Sequence, residues 1–500
     1  MTFYSTRSGS RATASQAILW GLAADGGLYV PGRFPQVSLD EIVSLQRMSY
    51  TQRAAFILQK YLEDYKPEQV RAAVEAAYGG GKFDCPEVAP VKKLDDETFV
   101  LELFHGPTLA FKDMALQLLP HLVTQAARMN GEERKVSILV ATSGDTGKAA
   151  LEGFKDVPGT SSTVFYPQDG VSDVQKLQMV TTGGDNTWVI GVEGNFDDAQ
   201  TGVKEIFSDP AFGAKMNERG RVLSSANSIN FGRLAPQIVY YFSAYADLLA
   251  QNAILPGDKV DFCVPTGNFG NILAGYYARN MGLPVGSLWC ASNKNNVLTD
   301  FFKKGKYTAR REFFKTISPS MDILISSNLE RLLYEAADRS GAQVKEWMNQ
   351  LKKNGSYSVD EEQKEWMQSI FRVGCATDEE TKAEIKRVFG EGYLMDTHTA
   401  VASRVLYEAR QKGAERRPTV IVSTASPYKF TQDVLEALEG EGAAQDMDAF
   451  RCAEKLAAVT GTRVPEQVSA LRSLPIRHTL KCGKEQMAAT VLEGFDKNIR

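Results

Sequence analysis

Lys112 lies in the run Phe104-His105-Gly106-Pro107-Thr108-Leu109-Ala110-Phe111-Lys112-Asp113-Met114-Ala115-Leu116, where an amine stands among hydrophobic residues. Gly106-Pro107 reads as a helix start, because proline's fixed φ and missing N–H cost nothing in a first turn. A helix from there puts Leu109, Lys112, Leu116 and Leu119 on one face, with Phe111, Ala115 and Leu118 beside them. A lysine on such a stripe either snorkels its ammonium to water or is desolvated until the neutral amine can act as a nucleophile or Schiff-base former. Spacing alone favours snorkelling.

Two turns could supply anion sites beside it. Ala141-Thr142-Ser143-Gly144-Asp145-Thr146-Gly147 follows the apolar run 136–140 and leads into a helix, and Thr266-Gly267-Asn268-Phe269-Gly270-Asn271 follows 260–265 and leads into another. A strand, small-residue turn and helix in succession aim free backbone N–H groups and a helix dipole at one point, where an anion can rest. Glycines that merely permit tight turns explain most single loops of this kind. Neither loop is GxGxxG, and Gly144-Asp145-Thr146-Gly147-Lys148-Ala149 lacks the glycine spacing and the Ser/Thr of a P-loop. A reactive lysine with two anion-ready turns instead suggests a carbonyl cofactor that carries a phosphate, such as pyridoxal 5′-phosphate, with the second loop holding the carboxylate of an amino-acid substrate.

The elements that must position these groups form an α/β chain. Residues 1–95 read as an N-terminal mainly helical domain, with helices at 39–45, 50–62 and Pro67–Tyr78 before the Gly79-Gly80-Gly81 break. Strand, loop and helix then alternate at 99–104, 136–140, 162–166, 186–192 and 258–281, which implies two α/β parts, 96–235 and 236–435, around parallel-type sheets. The stretch 299–390 reads as a helical insertion without convincing strands. Strand character returns at 419–423, and 436–500 reads as a C-terminal helical segment.

Size and composition narrow the function classes. Five hundred residues exceed one core. With 43% hydrophobic and 24% charged residues and a net charge of -4, nothing suggests nucleic acid or an anionic membrane as partner. Six cysteines without a CxxC pair and four histidines without HExxH spacing argue against a disulfide framework and a metal centre. The start, Met1-Thr2-Phe3-Tyr4-Ser5-Thr6-Arg7, lacks the apolar core of a signal peptide, and no run is long enough to span a membrane. The expectation is a cytoplasmic enzyme of small molecules, monomeric or weakly homodimeric.

Taken in order, His105-Gly106-Pro107-Thr108 with Ala110-Phe111-Lys112-Asp113, the 141–147 loop and Gly267-Asn268-Phe269-Gly270-Asn271 closely resemble the threonine synthase family in its long bacterial and fungal form. Further matches are Tyr4-Ser5-Thr6-Arg7, Ser225-Ala226-Asn227-Ser228-Ile229-Asn230, Ala291-Ser292-Asn293-Lys294-Asn295 and Ser423-Thr424-Ala425-Ser426-Pro427-Tyr428-Lys429-Phe430. The resemblance implies a fold-type II pyridoxal-phosphate enzyme that turns O-phospho-L-homoserine and water into L-threonine and phosphate. It implies that Lys112 carries the cofactor and that Gly267, Asn268, Phe269, Gly270 and Asn271 hold its phosphate. Thr424 would face the ring nitrogen, and Ser143, Gly144, Asp145 and Thr146 would lie near the ring and the substrate carboxylate. Ser225, Asn227, Asn230, Arg233 and Lys294 are the expected donors to the substrate phosphate, Arg233 foremost because a guanidinium matches phosphate geometry. The family often has a histidine within the segment 424–427 and a proline at the position of Thr397, which leaves Ser426 and His398 without assigned roles.

Overall fold

The computed structural model describes residues 1–142, 144–168, 171 and 173–497. Two parallel sheets organise the chain. The larger runs in the order Phe371–Cys375, Val285–Ser292, Val260–Pro265, Thr419–Ser423, Thr98–Glu102, Val91–Lys93, and only the last pair is antiparallel. The smaller is fully parallel, in the order Lys481–Gly483, Thr187–Glu193, Thr160–Pro167, Lys135–Ala141, Arg221–Ser224. Every residue of Val260–Pro265, Thr419–Ser423 and Thr160–Pro167 is buried, as expected where helices cover both faces of a parallel sheet.

The helix Phe231–Ala250 is buried on nearly all sides. Its tyrosines meet the turn after Val260–Pro265: the Tyr240 and Tyr241 hydroxyls donate to Asn271 Oδ1 at 2.6 and 2.9 Å. The helical N-terminal region also holds a small antiparallel sheet of Phe3–Ser5, Arg11–Ala12 and Tyr29–Pro31. It is tied on by Arg7, whose guanidinium donates to both oxygens of Glu330 at 2.9 and 2.7 Å.

Several sequence expectations are corrected. Residues 106–112 form a turn rather than a helix, and the helices there are Asp113–Leu116 and Leu119–Met129. The groups a helix from Pro107 would have used internally are spent elsewhere. The Thr108 N–H and hydroxyl donate to Asp113, each at 2.8 Å, and the Thr108 carbonyl accepts from Lys429. Leu109 takes φ +58, and Ala110 bridges to Ala425. The 299–390 stretch contains strands after all. Lys306–Thr308 pairs with Ser356–Ser358, and Phe371–Cys375 forms an edge of the larger sheet. That edge strand is short and mostly not buried, so it acquires its identity from pairing with Val285–Ser292 rather than from an alternating pattern. A division at 235/236 cuts the Phe231–Ala250 helix, and Thr98–Glu102 lies in one sheet with strands from beyond residue 236. The C-terminal segment is not purely helical, since Lys481–Gly483 extends the smaller sheet. No helix among the described residues is long and apolar enough to cross a membrane.

Candidate active site

Lys112 is the residue just before the helix Asp113–Leu116, and the turn leading to it is clamped from two sides. Asp113 takes its Thr108 donors, while the Phe111 N–H donates to the Thr424 carbonyl at 2.8 Å and the Ser426 N–H to the Leu109 carbonyl at 3.0 Å. The lysine is therefore fixed at the carboxyl end of Thr419–Ser423, where parallel sheets present their ligand-binding edge. Its side chain is about one-tenth exposed, so the snorkelling reading fails. Nζ lies 3.4 Å from Asp145 Oδ2, 3.3 Å from Ser320 Oγ and 5.0 Å from the centre of the Phe111 ring.

Asp145 opens the helix Asp145–Phe154 and reaches two lysines, Lys112 through Oδ2 and Lys429 through Oδ1 at 2.9 Å. Burial alone would raise its pKa, but the two ammonium groups hold it well below the usual carboxylate range. The Lys112 pKa is lowered. Burial is the main cause, Asp145 opposes it, and Lys429 and Arg233 reinforce it. This is an amine that gives up its proton more readily than an ordinary lysine.

Arg233, in the first turn of Phe231–Ala250, is buried, and its Nη1 donates to the Ala226 carbonyl at 2.6 Å. No carboxylate among the described residues pairs with it, and burial pushes its pKa down to about 10. The same helix meets the second turn through Asn271. With Oδ1 occupied by two tyrosines, Asn271 Nδ2 is a buried donor without a partner. It stands in the first turn of the helix Gly270–Asn280, preceded by Phe269 in the left-handed region at φ +64. A free donor at a helix N-terminus fits a phosphate. A Cβ on Gly267 would lie 2.8 Å from the Ser320 carbonyl oxygen, which places that turn against the same segment that touches Lys112. The residues thus fit a phosphate-bearing carbonyl cofactor: a depressed buried amine, an unpaired amide donor at a helix start, and Thr424 beside the lysine turn.

The remaining expected residues are placed unevenly. Gly144 precedes the Asp145 helix at φ +146, where a Cβ would meet Gln175, and Thr146 is half-buried in the first helical turn. Ser143 lies outside the described residues. Asn268 is exposed, and its carbonyl accepts from the Asn328 side chain at 3.1 Å. Ser225 and Asn227 flank Ala226, whose carbonyl holds Arg233. Asn230 has structural partners: its Oδ1 caps the Phe231–Ala250 helix by accepting from the Gly232 N–H at 2.8 Å, and its Nδ2 donates to the Ile18 carbonyl at 2.9 Å. Lys294 is not brought to the cluster. It is exposed, with its ammonium 4.2 Å above the Phe314 ring.

Three contributors have no assigned role in the sequence reading. Ser320 touches both Lys112 and Asp145. His398 Nε2 accepts from the Ser320 N–H at 3.1 Å while its Nδ1 pairs with Asp396 at 2.9 Å, so the Nδ1–H tautomer holds the Ser320 turn in place. Lys429 was only part of a matching segment. A lysine between Tyr428 and Phe430 was the available signal for it; for Ser320, in the turn-forming run Ser318-Pro319-Ser320, there was none.

Comparison with known proteins agrees along the whole chain. Residues 2–78 match the family described as threonine synthase N terminus, 84–363 pyridoxal-phosphate dependent enzyme, and 399–482 threonine synthase, C-terminal. The human protein named threonine synthase-like 1 is 44% identical over 85% of this chain, and the chain spans only 58% of that protein's length. Threonine synthase of Pseudomonas aeruginosa is 41% identical over 89% of this chain and 92% of its own. The crystal structure of a PLP-bound threonine synthase from Brucella melitensis, 38% identical, superposes with a TM-score of 0.87 over the full length of both chains. Since identity at this level extends over nine-tenths of a threonine synthase and the fold over all of another, the chain belongs to the threonine synthase family of fold-type II pyridoxal-phosphate-dependent enzymes.

Proposed function

We propose that this chain converts O-phospho-L-homoserine and water to L-threonine and phosphate, with pyridoxal 5′-phosphate held by Lys112. The observation that carries the reading is the buried amine of Lys112 with an unpaired guanidinium, Arg233, close enough to lower its pKa. That is one group for proton chemistry and one for a substrate's own phosphate.

When bound, the cofactor supplies an electron sink for negative charge developing on the substrate's carbon atoms. What remains for the chain is anion binding and proton transfer. The first turn of Gly270–Asn280, with Gly267, Asn268, Phe269 and Asn271 Nδ2, receives the cofactor phosphate, and the neutral Thr424 hydroxyl meets the ring nitrogen without forcing it to stay protonated. Ser143, Gly144 and Thr146 receive the substrate carboxylate at the start of the Asp145 helix. Arg233 holds the leaving phosphate, flanked by Ser225 and Asn227.

Lys112 Nζ accepts the proton from the α-carbon, and its flexible stem lets the same amine serve the neighbouring β-carbon as phosphate departs and water adds. Asp145 and Ser320 orient that amine through the contacts at 3.4 and 3.3 Å. The reading is tested by incubating pure protein with phosphohomoserine and following phosphate and threonine together. Equal release of both is expected. Phosphate with 2-oxobutyrate would make the chain a phospholyase instead, and no phosphate release would overturn the reading.

A further inference from the structure

The chemistry above gives no task to Lys429, although it is as deeply placed as Lys112. Its side chain is 2% exposed, and Nζ lies 2.9 Å from Asp145 Oδ1 and 2.8 Å from the Thr108 carbonyl. The only carboxylate that touches Lys112 among the described residues is thus shared, and it sits closer to the other lysine. Thr108 also begins the turn that delivers Lys112. We propose that Lys429 is a positioning residue for Lys112: it occupies the Asp145 carboxylate and anchors the Thr108 turn, so that Lys112 stands as a free amine rather than as half of a closed ion pair. The proposal rests on Lys112 being the cofactor lysine.

The charges around the pair support this division of labour. Lys112 faces Asp145 from the Asp145–Phe154 helix, Arg233 from the Phe231–Ala250 helix, Lys429 from the segment after Thr419–Ser423, and the neutral Ser320 hydroxyl. Lys429 faces Asp145 and, from the helix after Lys112, the buried Asp113. Gln175, His398 and the Ser320 hydroxyl also face Asp145. Remove the Lys429 charge and Asp145 has one ammonium left, that of Lys112. Opposite charges in a site shielded from water bind tightly, and the pair would keep the proton on Lys112. Losing a like charge acts in the same direction.

The test uses the cofactor-free full chain, so that its readout is independent of turnover. Lys429→Gln retains a donor for the Thr108 carbonyl while removing the charge. The reactivity of Lys112 toward trace acetic anhydride is measured against pH by mass spectrometry of its peptide. The expected midpoint rises by about one pH unit, which means about tenfold less free amine at any pH below it, and Lys429→Arg brings it back toward the parent value. An unchanged or lowered midpoint in a folded Lys429→Gln chain overturns the proposal and leaves Lys429 a structural tie. If the glutamine variant does not fold, Lys429→Met, unbranched and apolar for a buried position, must show the same rise. Borohydride reduction of the loaded parent chain, with mapping of the labelled peptide, separately tests whether Lys112 is the cofactor lysine.

Discussion

Replacing Arg233 by methionine should separate stability from substrate use. Burial pushes the Arg233 pKa down to about 10. A displacement of that size means that the buried charge disfavours the substrate-free protein by roughly 3 kcal/mol, at about 1.4 kcal/mol per factor of ten. Methionine removes that burden and keeps an unbranched apolar stem. Against this gain, the Ala226 carbonyl loses its 2.6 Å donor, at about 1–3 kcal/mol for an unsatisfied buried acceptor. The two nearly cancel, so urea unfolding of the cofactor-free variant should stay within about 2 kcal/mol of the parent. Binding of a phosphate that pairs with Arg233 is different. Truncating one member of a buried, hydrogen-bonded charge pair costs about 2–5 kcal/mol, so kcat/KM for phosphohomoserine should fall between about 30-fold and several thousand-fold. Inorganic phosphate should weaken as a competitive inhibitor alongside it, while cofactor absorbance is retained. Arg233→Lys, which keeps the charge but loses the planar fork, should fall between. A methionine variant that unfolds about 4 kcal/mol more easily yet keeps kcat/KM within about threefold of the parent would show that Arg233 only ties down the 225–230 loop, and the charge reasoning would be wrong.

Asn271→Asp keeps an acceptor for the Tyr240 and Tyr241 hydroxyls but replaces the free Nδ2 donor with a negative oxygen; cofactor titration should show at least about 100-fold weaker binding with the fold retained, and an unaltered affinity would remove Asn271 from the phosphate site. In Gly153→Ala, a Cβ would stand 2.0 Å from the Leu116 carbonyl oxygen, forcing the Asp145–Phe154 helix away from the helix Asp113–Leu116. Chemical denaturation should show a loss of about 2–3 kcal/mol. Burial draws the His105 pKa down, but Asp84 and Glu102 push it up to about 9. Its folded value is then above the unfolded one near 6.5, so its stabilising contribution is full below about pH 6.5 and disappears as pH rises through 9. His105→Gln should therefore cost about 1–2 kcal/mol at pH 6, after discounting for the exposed Asp84, and little at pH 10. A difference independent of pH would refute it.

What the sequence disclosed depended on whether a signal was local. Val260–Pro265 and Thr419–Ser423 stand out because strands buried on both faces are mostly apolar, and the turn after Val260–Pro265 carries Gly267 and Gly270 in plain view. Lys112 was identified, but on a helical stripe that does not exist, because the partners that undo the helix lie far away in the chain: Lys429 takes the Thr108 carbonyl and Ala425 bridges Ala110. Phe371–Cys375 was passed over within the expected helical insertion for the same reason, its partner strand Val285–Ser292 lying far back in the chain. Among the expected phosphate donors, Asn230 serves as a helix cap, a task the sequence signals equally well, since an asparagine one residue before a helix is as good a cap as it is a ligand.

Under the proposed function, the charges around Lys112 suit two phosphates held in different ways. Elsewhere the fold satisfies its buried guanidinium groups: Arg53 meets Asp247, and Arg331 donates to Tyr29 O, Ile229 O and Asn328 Oδ1. At the site, Lys112 and Lys429 both contact Asp145, Lys429 also faces Asp113, and Arg233 adds a third positive charge beside Lys112. That excess of positive charge would be costly to bury with nothing to balance it, and a dianion that arrives, reacts and leaves is its natural complement. The 266–271 turn, by contrast, offers neutral donors, the backbone N–H groups and Asn271 Nδ2. Neutral dipoles suit a phosphate that stays through every turnover, since they need no counter-charge when the site is otherwise empty. The full charges suit the phosphate that must be released, because Arg233 can return to its single carbonyl contact once that anion has gone.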